Sequence, residues 1–306
     1  MKVIDQYVGN GYQLINGDTC EVIRDIPDES VHFEVYSPPF SSLYTYSNSD
    51  RDLGNSKNDE QFFEHFHFIT TELYRILKPG RIMAVHCMNL PTSKERDGFI
   101  GIKDFRGDLI REFQSVGFIY HAEVAIWKNP VTAMQRTKAL GLLHKQIKKD
   151  SCMSRMGIPD YVVIMRKPGE NPEPVTHTNE TYPVSEWQEV ASPMYDELSS
   201  AFWWDINPSN TLNVQAAREG RDERHICPLQ LDVIDRLLKL YTNENDIVFT
   251  PFMGIGSEVY QAVLRGRRGI GIELKSSYYK CAVHNLKMAE TENKQMDIFN
   301  FIGGEE

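Results

Sequence analysis

The chain has 306 residues, 41% of them hydrophobic and 25% charged, and a net charge of −10. Those proportions are ordinary for a soluble globular protein and fit one large domain or a domain carrying an insertion. Five scattered cysteines, Cys20, Cys87, Cys152, Cys227 and Cys281, form no CxxC pair, which argues against a disulfide framework or a zinc site and for reduced thiols.

The first residues, Met1 to Gln6, hold no apolar leader region, and no apolar run is long enough to span a bilayer, so a cytoplasmic protein is expected. Residues 11–18 read as a strand ending in a Gly-Asp turn, and 19–27 as a short helix closed by Pro27. Residues 31–36 form a short apolar run typical of a buried strand. Ser37-Pro38-Pro39-Phe40 follows at once. Two consecutive prolines lack N–H groups and fix φ, so the chain leaves the sheet there as a stiff, extended loop. That loop offers carbonyls at Ser37 and Pro38, a hydroxyl at Ser37 and the ring of Phe40. Acceptors of this kind suit the protons of an amine, and the ring suits stacking on a flat heterocycle. A strand-end turn with a packed Phe is the alternative.

Residues 41–58 are polar and turn-rich and read as a loop beside this motif. From Asp59 to Leu77 apolar residues recur at helical spacing, and Lys78-Pro79-Gly80 stops the helix. Arg81–Cys87 reads as a strand, 105–116 as a helix capped by Gly117, and 118–127 as a strand. Helices alternating with buried strands predict a doubly wound, mainly parallel sheet of α/β class.

From Lys128 to Lys167 nine basic residues stand against two acidic ones. Tyr161–Met165 reads as a strand pairing antiparallel with 118–127, which leaves 128–160 as a long excursion at the end of the sheet. Connections of that length inside a compact domain are usually functional. Lys128, Arg136, Lys138, Lys145, Lys148, Lys149 and Arg155 are the candidate contacts to a polyanion; a solvated basic helix is the alternative. Residues 170–200 read as a surface linker. In Phe202-Trp203-Trp204-Asp205 core packing is the first reading, with DNA or cofactor contact second. The stretch 170–222 carries ten acidic residues against Arg218 and Arg221, so the main surface for a polyanion is not expected there.

A helix opening at His225-Ile226-Cys227-Pro228 and running to Tyr241 comes next. Strand 247–250, a glycine turn over 251–256, helix 257–265, strand 269–272 and a closing helix 278–290 complete the chain. Residues after 291 read as a loosely held tail. Strand, glycine turn and helix together bring a nucleotide against backbone. Gly254 and Gly256 allow the turn with no side chain in the way, and Glu273 ends the next strand, where acidic residues commonly accept ribose hydroxyls.

The two motifs, Ser-Pro-Pro-Phe at 37–40 and Phe252-Met-Gly254-Ile-Gly256, together resemble the amino-group DNA methyltransferases that use S-adenosyl-L-methionine (SAM). The target-base motif precedes the cofactor motif, an order similar to that of the permuted beta class. The resemblance covers most of the chain apart from roughly residues 130–200. It implies a Rossmann-like methyltransferase fold, SAM as cofactor, double-stranded DNA as substrate and no metal. It further implies SAM contacts at Asp18, Phe252, Gly254, Gly256, Ser257 and Glu273. Ser37, Pro38, Pro39 and Phe40 would hold a base flipped out of the duplex. Three stretches follow: 1–127 with the base motif, 128–211 as an inserted DNA-recognition region, and 212–306 for the cofactor. The family often has Asp where Thr250 stands, which leaves a contact near the methionine end open. Its adenine enzymes mostly carry Asp at the first motif position and its cytosine-N4 enzymes Ser, so Ser37 favours cytosine N4, with adenine N6 the alternative. Methylation of RNA or of a protein glutamine fits less well, because of the motif order and the basic excursion. A non-catalytic SAM- or DNA-binding module is the reading from a different class. A homodimer and a cognate restriction enzyme are both compatible with the resemblance.

Overall fold

A hairpin that the patterning above did not predict opens the sheet. In the computed structural model, which describes residues 3–40, 52–131, 144–154, 157–180, 183–184, 201–213 and 228–302, β1 (Val3–Gly9) pairs antiparallel with β2 (Tyr12–Gly17). The Asn10-Gly11 turn joins them, with Gly11 at φ 82°. Asn-Gly between two apolar runs is a hairpin signal in its own right.

The chain then alternates helix and strand. A single turn, α1 (Thr19–Val22), leads to β3 (Val31–Tyr36), α2 (Asp59–Ile76), β4 (Leu77–Met88) and β5 (Leu90–Pro91). After α3 (Lys94–Asp97), β6 (Ile102–Lys103) pairs with β5; α4 (Phe105–Ser115), β7 (Ile119–Ile126), α5 (His144–Lys149), β8 (Asp160–Arg166) and β9 (Phe202–Trp203) follow. The last elements are α6 (Leu231–Tyr241), β10 (Ile247–Thr250), α7 (Ser257–Leu264), β11 (Arg268–Glu273) and α8 (Ser276–Ile302). Among the described residues, nine strands form one sheet in the order β1-β2-β11-β10-β3-β4-β8-β7-β9. The five from β2 to β4 run parallel, and β8 is antiparallel to both β4 and β7.

Period-two alternation along the strands builds two cores. Phe33, Val35, Ile82, Ala84, Val162 and Ile164 face α6, against Val233 and Leu237. Tyr36, Met83, Val85, Val163 and Met165 face α2 and α4, against Phe62, Phe66, Leu73, Leu109 and Phe113. A sheet covered on both faces is the doubly wound arrangement expected, and each buried large apolar side chain contributes about 1.5–3 kcal/mol. Local chemistry starts the helices where it should. Asn58 accepts a hydrogen bond from Gln61 N–H at 2.9 Å to cap α2, and Asp104 accepts from Gly107 N–H at 3.1 Å to cap α4.

Three boundaries differ from the sequence reading. β4 begins at Leu77, directly after α2, because Gly80 N–H reaches Lys167 O at 3.0 Å and keeps the Pro79-Gly80 stretch against the sheet. α6 starts at Leu231, so Pro228 lies before the helix and not in its first turn; His225, Ile226 and Cys227 lie outside the described residues. α8 continues to Ile302, so the expected loose tail is helical that far. The expected strand over Tyr161–Met165 is β8, antiparallel to β7 as predicted, and β9 joins the same sheet beyond β7.

Candidate active site

Parallel pairing brings distant segments to one edge. The carboxyl ends of β2, β11, β10, β3 and β4 lie side by side. They deliver Asp18, Glu273, Pro251, Ser37 and Asn89 respectively. Phe249 pairs with Glu34, so the glycine turn and the Ser-Pro-Pro-Phe loop leave neighbouring strands about 4.8 Å apart. This is the edge at which doubly wound sheets bind ligands.

The glycine turn is fixed from several sides. Thr19 donates its hydroxyl to Pro251 O at 2.6 Å, and Asn285 Nδ2 donates to Ile255 O at 2.9 Å. Gly254 and Gly256 both have positive φ, 55° and 92°, but their bare faces serve different ends. A Cβ on Gly254 would meet nothing within 4 Å, whereas one on Gly256 would stand 3.0 Å from Leu286 and 3.1 Å from Ala282 of α8. Gly254 therefore keeps the ligand side open, and Gly256 lets α7 pack against α8. Glu273 accepts from Gly254 N–H and from Lys275 N–H, each at 2.8 Å, one on each carboxylate oxygen. Burial pushes its carboxyl up to about 7 despite those two N–H groups. Each oxygen keeps a further lone pair for a hydroxyl. Asp18 caps α1 by accepting from Cys20 N–H at 3.0 Å. Phe252 is half-buried between Tyr36 and Phe66, with ring centroids at 5.8 and 6.3 Å, and forms a wall. Ser257 is enclosed at 2% exposure, which leaves its hydroxyl little surface to offer a ligand. Thr250 Oγ1 is buried with no hydrogen-bond partner among the described residues. The open face at Gly254, the anchored Glu273 and the orphaned Thr250 hydroxyl suit a polar nucleoside such as SAM.

Beside this cradle lies an arrangement that no motif announced. Ser37 Oγ sits 2.8 Å from His86 Nδ1, and His86 Nε2 sits 3.1 Å from Asp160 Oδ2. Lys128 Nζ pairs with the same Asp160 oxygen. His86 comes from the end of β4 and Asp160 from the start of β8, joined by the antiparallel register that sets Met88 opposite Asp160. Burial alone would raise the Asp160 carboxyl, but His86 and Lys128 outweigh it and hold it below the usual range. An ionised Asp160 accepts from His86 Nε2–H. The network then assigns Nδ1 as the acceptor of the Ser37 hydroxyl proton. Pro38 is buried, Ser37 and Pro39 are partly buried, and the Phe40 ring stands edge-on to Phe105 with centroids 6.3 Å apart.

The basic excursion leaves β7 and returns to β8 at the same edge, since Ile126 pairs with Asp160. Lys145, Lys148 and Lys149 are exposed on α5. Lys128 instead turns to Asp160, and Arg136, Lys138 and Arg155 lie outside the described residues. Lys167, which added to the charge count, is buried at the opposite edge and donates to Leu77 O at 2.7 Å. Most of the polar loop at 41–58 also lies outside the described residues; Leu53 packs into the core. The tandem tryptophans divide: Trp203 is 1% exposed and Trp204 65%.

Three comparisons bear on this geometry. A family model described as DNA methylase, covering N6 and N4 methyltransferases, matches residues 31–284. The type II methyltransferase M.BglII of Bacillus subtilis is 26% identical over 284 residues, covering 92% of this chain and 70% of its own length. Among solved structures, a DNA modification methylase of Thermus thermophilus complexed with S-adenosyl-L-methionine aligns over 92% of this chain and 96% of that one. Its TM-score is 0.63 at 22% identity. The cytosine-N4-specific PvuII DNA methyltransferase aligns over 93% and 90%, with a TM-score of 0.64 at 15% identity. Both structural likenesses speak for the fold.

Proposed function

The chain belongs to the DNA methylase family matched across residues 31–284, and from that premise we propose that it methylates the N4 amine of cytosine in double-stranded DNA. SAM-dependent transfer to an exocyclic amine, cytosine N4 or adenine N6, is the activity of the enzyme, and SAM is its cofactor. The finer reading rests on one observation: the first position of the base motif is Ser37, held by His86 at 2.8 Å.

When bound, SAM would supply an electrophilic methyl group, and Gly254, Glu273, Asp18 and Phe252 would be the groups to hold it. The rest is the chain's own chemistry. The lone pair of a nucleobase amine is delocalised into the ring and makes a poor nucleophile. Hydrogen bonds from that amine to Ser37 Oγ and the Pro38 carbonyl localise the pair. Ser37 is committed to this role because its own proton points to His86 Nδ1, which leaves the oxygen lone pairs facing outward. This is positioning and electrostatic preorganisation, with no strong base required.

A methylated amine becomes cationic and must shed one proton. Ser37 Oγ accepts it while passing its own proton to His86 Nδ1, and the imidazolium so formed is held by the Asp160 carboxylate. His86 and Asp160 act through Ser37 and are positioning residues. A paired base cannot reach this edge, so the target must be flipped, with Phe40 as its stacking face.

The type II name of the Bacillus subtilis relative supports a place beside a cognate restriction nuclease. No helix among the described residues is long and apolar enough to cross a membrane. Nucleoside mass spectrometry of DNA methylated in vitro tests the proposal. N4-methylcytosine is the expected product, and N6-methyladenine alone would replace the base assignment while leaving the mechanism intact.

A further inference from the structure

The Phe202-Trp203-Trp204 segment is not used by the chemistry above, and its geometry is that of a stacking platform. β9 pairs parallel with β7, with Ala125 opposite Phe202 and Ile126 opposite Trp203. Trp127 N–H donates to Trp203 O at 2.9 Å and carries the register one step further. Alternation then separates the side chains. Ile126 and Trp203 point into the core, at 3% and 1% exposure. Trp127, Phe202 and Trp204 share the outer face at 47%, 54% and 65%. Phe202 and Trp204 stack with centroids 5.8 Å apart and planes at 27°. Ala125 is too small to fill the space beside them. The result is a cleft of about 260 Å³ floored by Ala125 and walled by Trp127, Phe202, Trp204, Pro130 and Pro159.

Three exposed aromatic rings around one cleft mark a binding surface. The position of the cleft says what would fill it. It lies at the carboxyl end of β7, on the edge that carries Ser37. β7 is three strand steps from β3 in the sheet order, roughly 14 Å at about 4.8 Å per step. Lys128 lines the cleft, and its ammonium pairs with Asp160. One side chain thus joins the aromatic wall to the hydrogen-bonded chain behind Ser37. The basic excursion starts from the same wall, so the local charge favours a polyanion.

Taking the DNA methyltransferase reading as given, we propose that the Trp127–Phe202–Trp204 cleft is a second nucleobase site, which stacks an unpaired base of the substrate DNA a few nucleotides from the target base. Aromatic side chains bind bases without sequence preference because every base has a π face. Flipping the target breaks its pair and loosens its neighbours, which provides unpaired bases at this edge.

The test uses the full-length enzyme with SAM bound, a labelled dT12 oligonucleotide and an abasic oligomer of equal length. Trp204→Ala should weaken dT12 binding about tenfold or more, and Trp204→Phe should retain most of the affinity. The salt slope should not move, because no phosphate contact is lost. The abasic oligomer should bind wild type and Trp204→Ala equally. Unchanged dT12 affinity in Trp204→Ala would overturn the proposal; so would an equal loss for dT12 and the abasic oligomer. Sedimentation in which Trp204→Ala turns a dimer into a monomer would assign the face to a second copy of the chain and overturn it as well. Trp204 is exposed, so the variant should fold, and unchanged SAM affinity confirms that it does. Methyl transfer to bulk DNA by the wild type is scored alongside. If that transfer is present and dT12 binding is insensitive to Trp204, only the second base site falls; if transfer is absent, the enzyme reading falls first.

Discussion

The two edges of the sheet contain the same kinds of side chain arranged to opposite ends. At the amino edge of β3, His32, Glu173 and Asp246 bring their ligand atoms within 4.8 Å of one another, a grouping that could hold a metal ion. All three side chains there are already paired within the chain, and in that sense the edge is saturated. Arg81 pairs with Asp246 and donates to His32 O at 2.8 Å and to Glu173 O at 3.0 Å. Ile247 N–H donates to His32 Nδ1 at 3.0 Å, and Lys78 holds Glu173 at 2.6 Å. At the carboxyl edge, Ser37, His86 and Asp160 also form a chain, but it ends on the partly buried Ser37 hydroxyl. The bare face of Gly254 is open beside it, and Thr250 Oγ1 is buried there with no hydrogen-bond partner among the described residues. A cluster of titratable groups is therefore no sign of a site by itself; open valence is. The saturated edge ties the 170–176 segment to the sheet, and the carboxyl edge is the one the proposed function uses.

The largest effect should come from breaking the saturated edge. Arg81→Met leaves Asp246 buried without its cation and should cost about 3–5 kcal/mol of stability. Denaturant unfolding measures it, and SAM affinity of the folded fraction should stay as in the wild type. At the open edge, Ser37→Ala should leave the melting curve in place and lower kcat by on the order of 100-fold. SAM affinity should move far less, because the hydroxyl serves the amine and not the cofactor. An equal loss in both would mean that Ser37 belongs to the cofactor cradle.

Neutralising Lys145, Lys148 and Lys149 together should weaken DNA binding and flatten its salt slope by up to about three units. An unchanged slope would make α5 a solvated face. Glu273→Ala should weaken SAM binding by on the order of 1–3 kcal/mol in calorimetry. Because the Glu273 carboxyl titrates at about 7, wild-type SAM affinity should fall as the pH drops below that value, and Glu273→Gln should flatten the dependence.

The smallest effect separates burial from function within β3. Glu34 is fully buried with both carboxyl oxygens unpartnered among the described residues, and burial raises its carboxyl well above the usual range. Its protonated form favours the fold. That contribution is complete below the unfolded value, about 4.3, and is lost as the pH rises toward the raised folded value. Glu34→Gln should therefore melt above the wild type at pH 8 and close to it at pH 5. Equal differences at the two pH values would remove the titration of Glu34 from the explanation.

How much of this was legible in the sequence depended on how local the physics is. The stiff exit at Pro38-Pro39, the open turn at Gly254 and the strand-end Glu273 are backbone effects within a few residues, and each lies where the chain chemistry placed it. The antiparallel pairing of 118–127 with 161–165 followed from two apolar runs. His86 and Asp160 did not show, because they lie 74 residues apart and meet only through the β4–β8 register. The role of Gly256 is likewise tertiary, set by α8 crossing behind it. The β1 hairpin was missed although Asn10-Gly11 announces it. The tandem tryptophans could be divided only once β9 had a partner to set its alternation.

The Ile126–Asp160 pair described above has one further consequence. Ile126 and Asp160 are the facing stems of the connection between β7 and β8, so the closure cost of that connection depends only weakly on its length. Doubling a flexible loop costs only about 0.6 kcal/mol in closure entropy. Segments of other lengths that keep Lys128 should be tolerated between those two stems, with Asp160 still orienting His86. On the proposed function, the segment assigned to DNA beyond the target base is in this sense exchangeable, and the Ser37–His86–Asp160 chain is not.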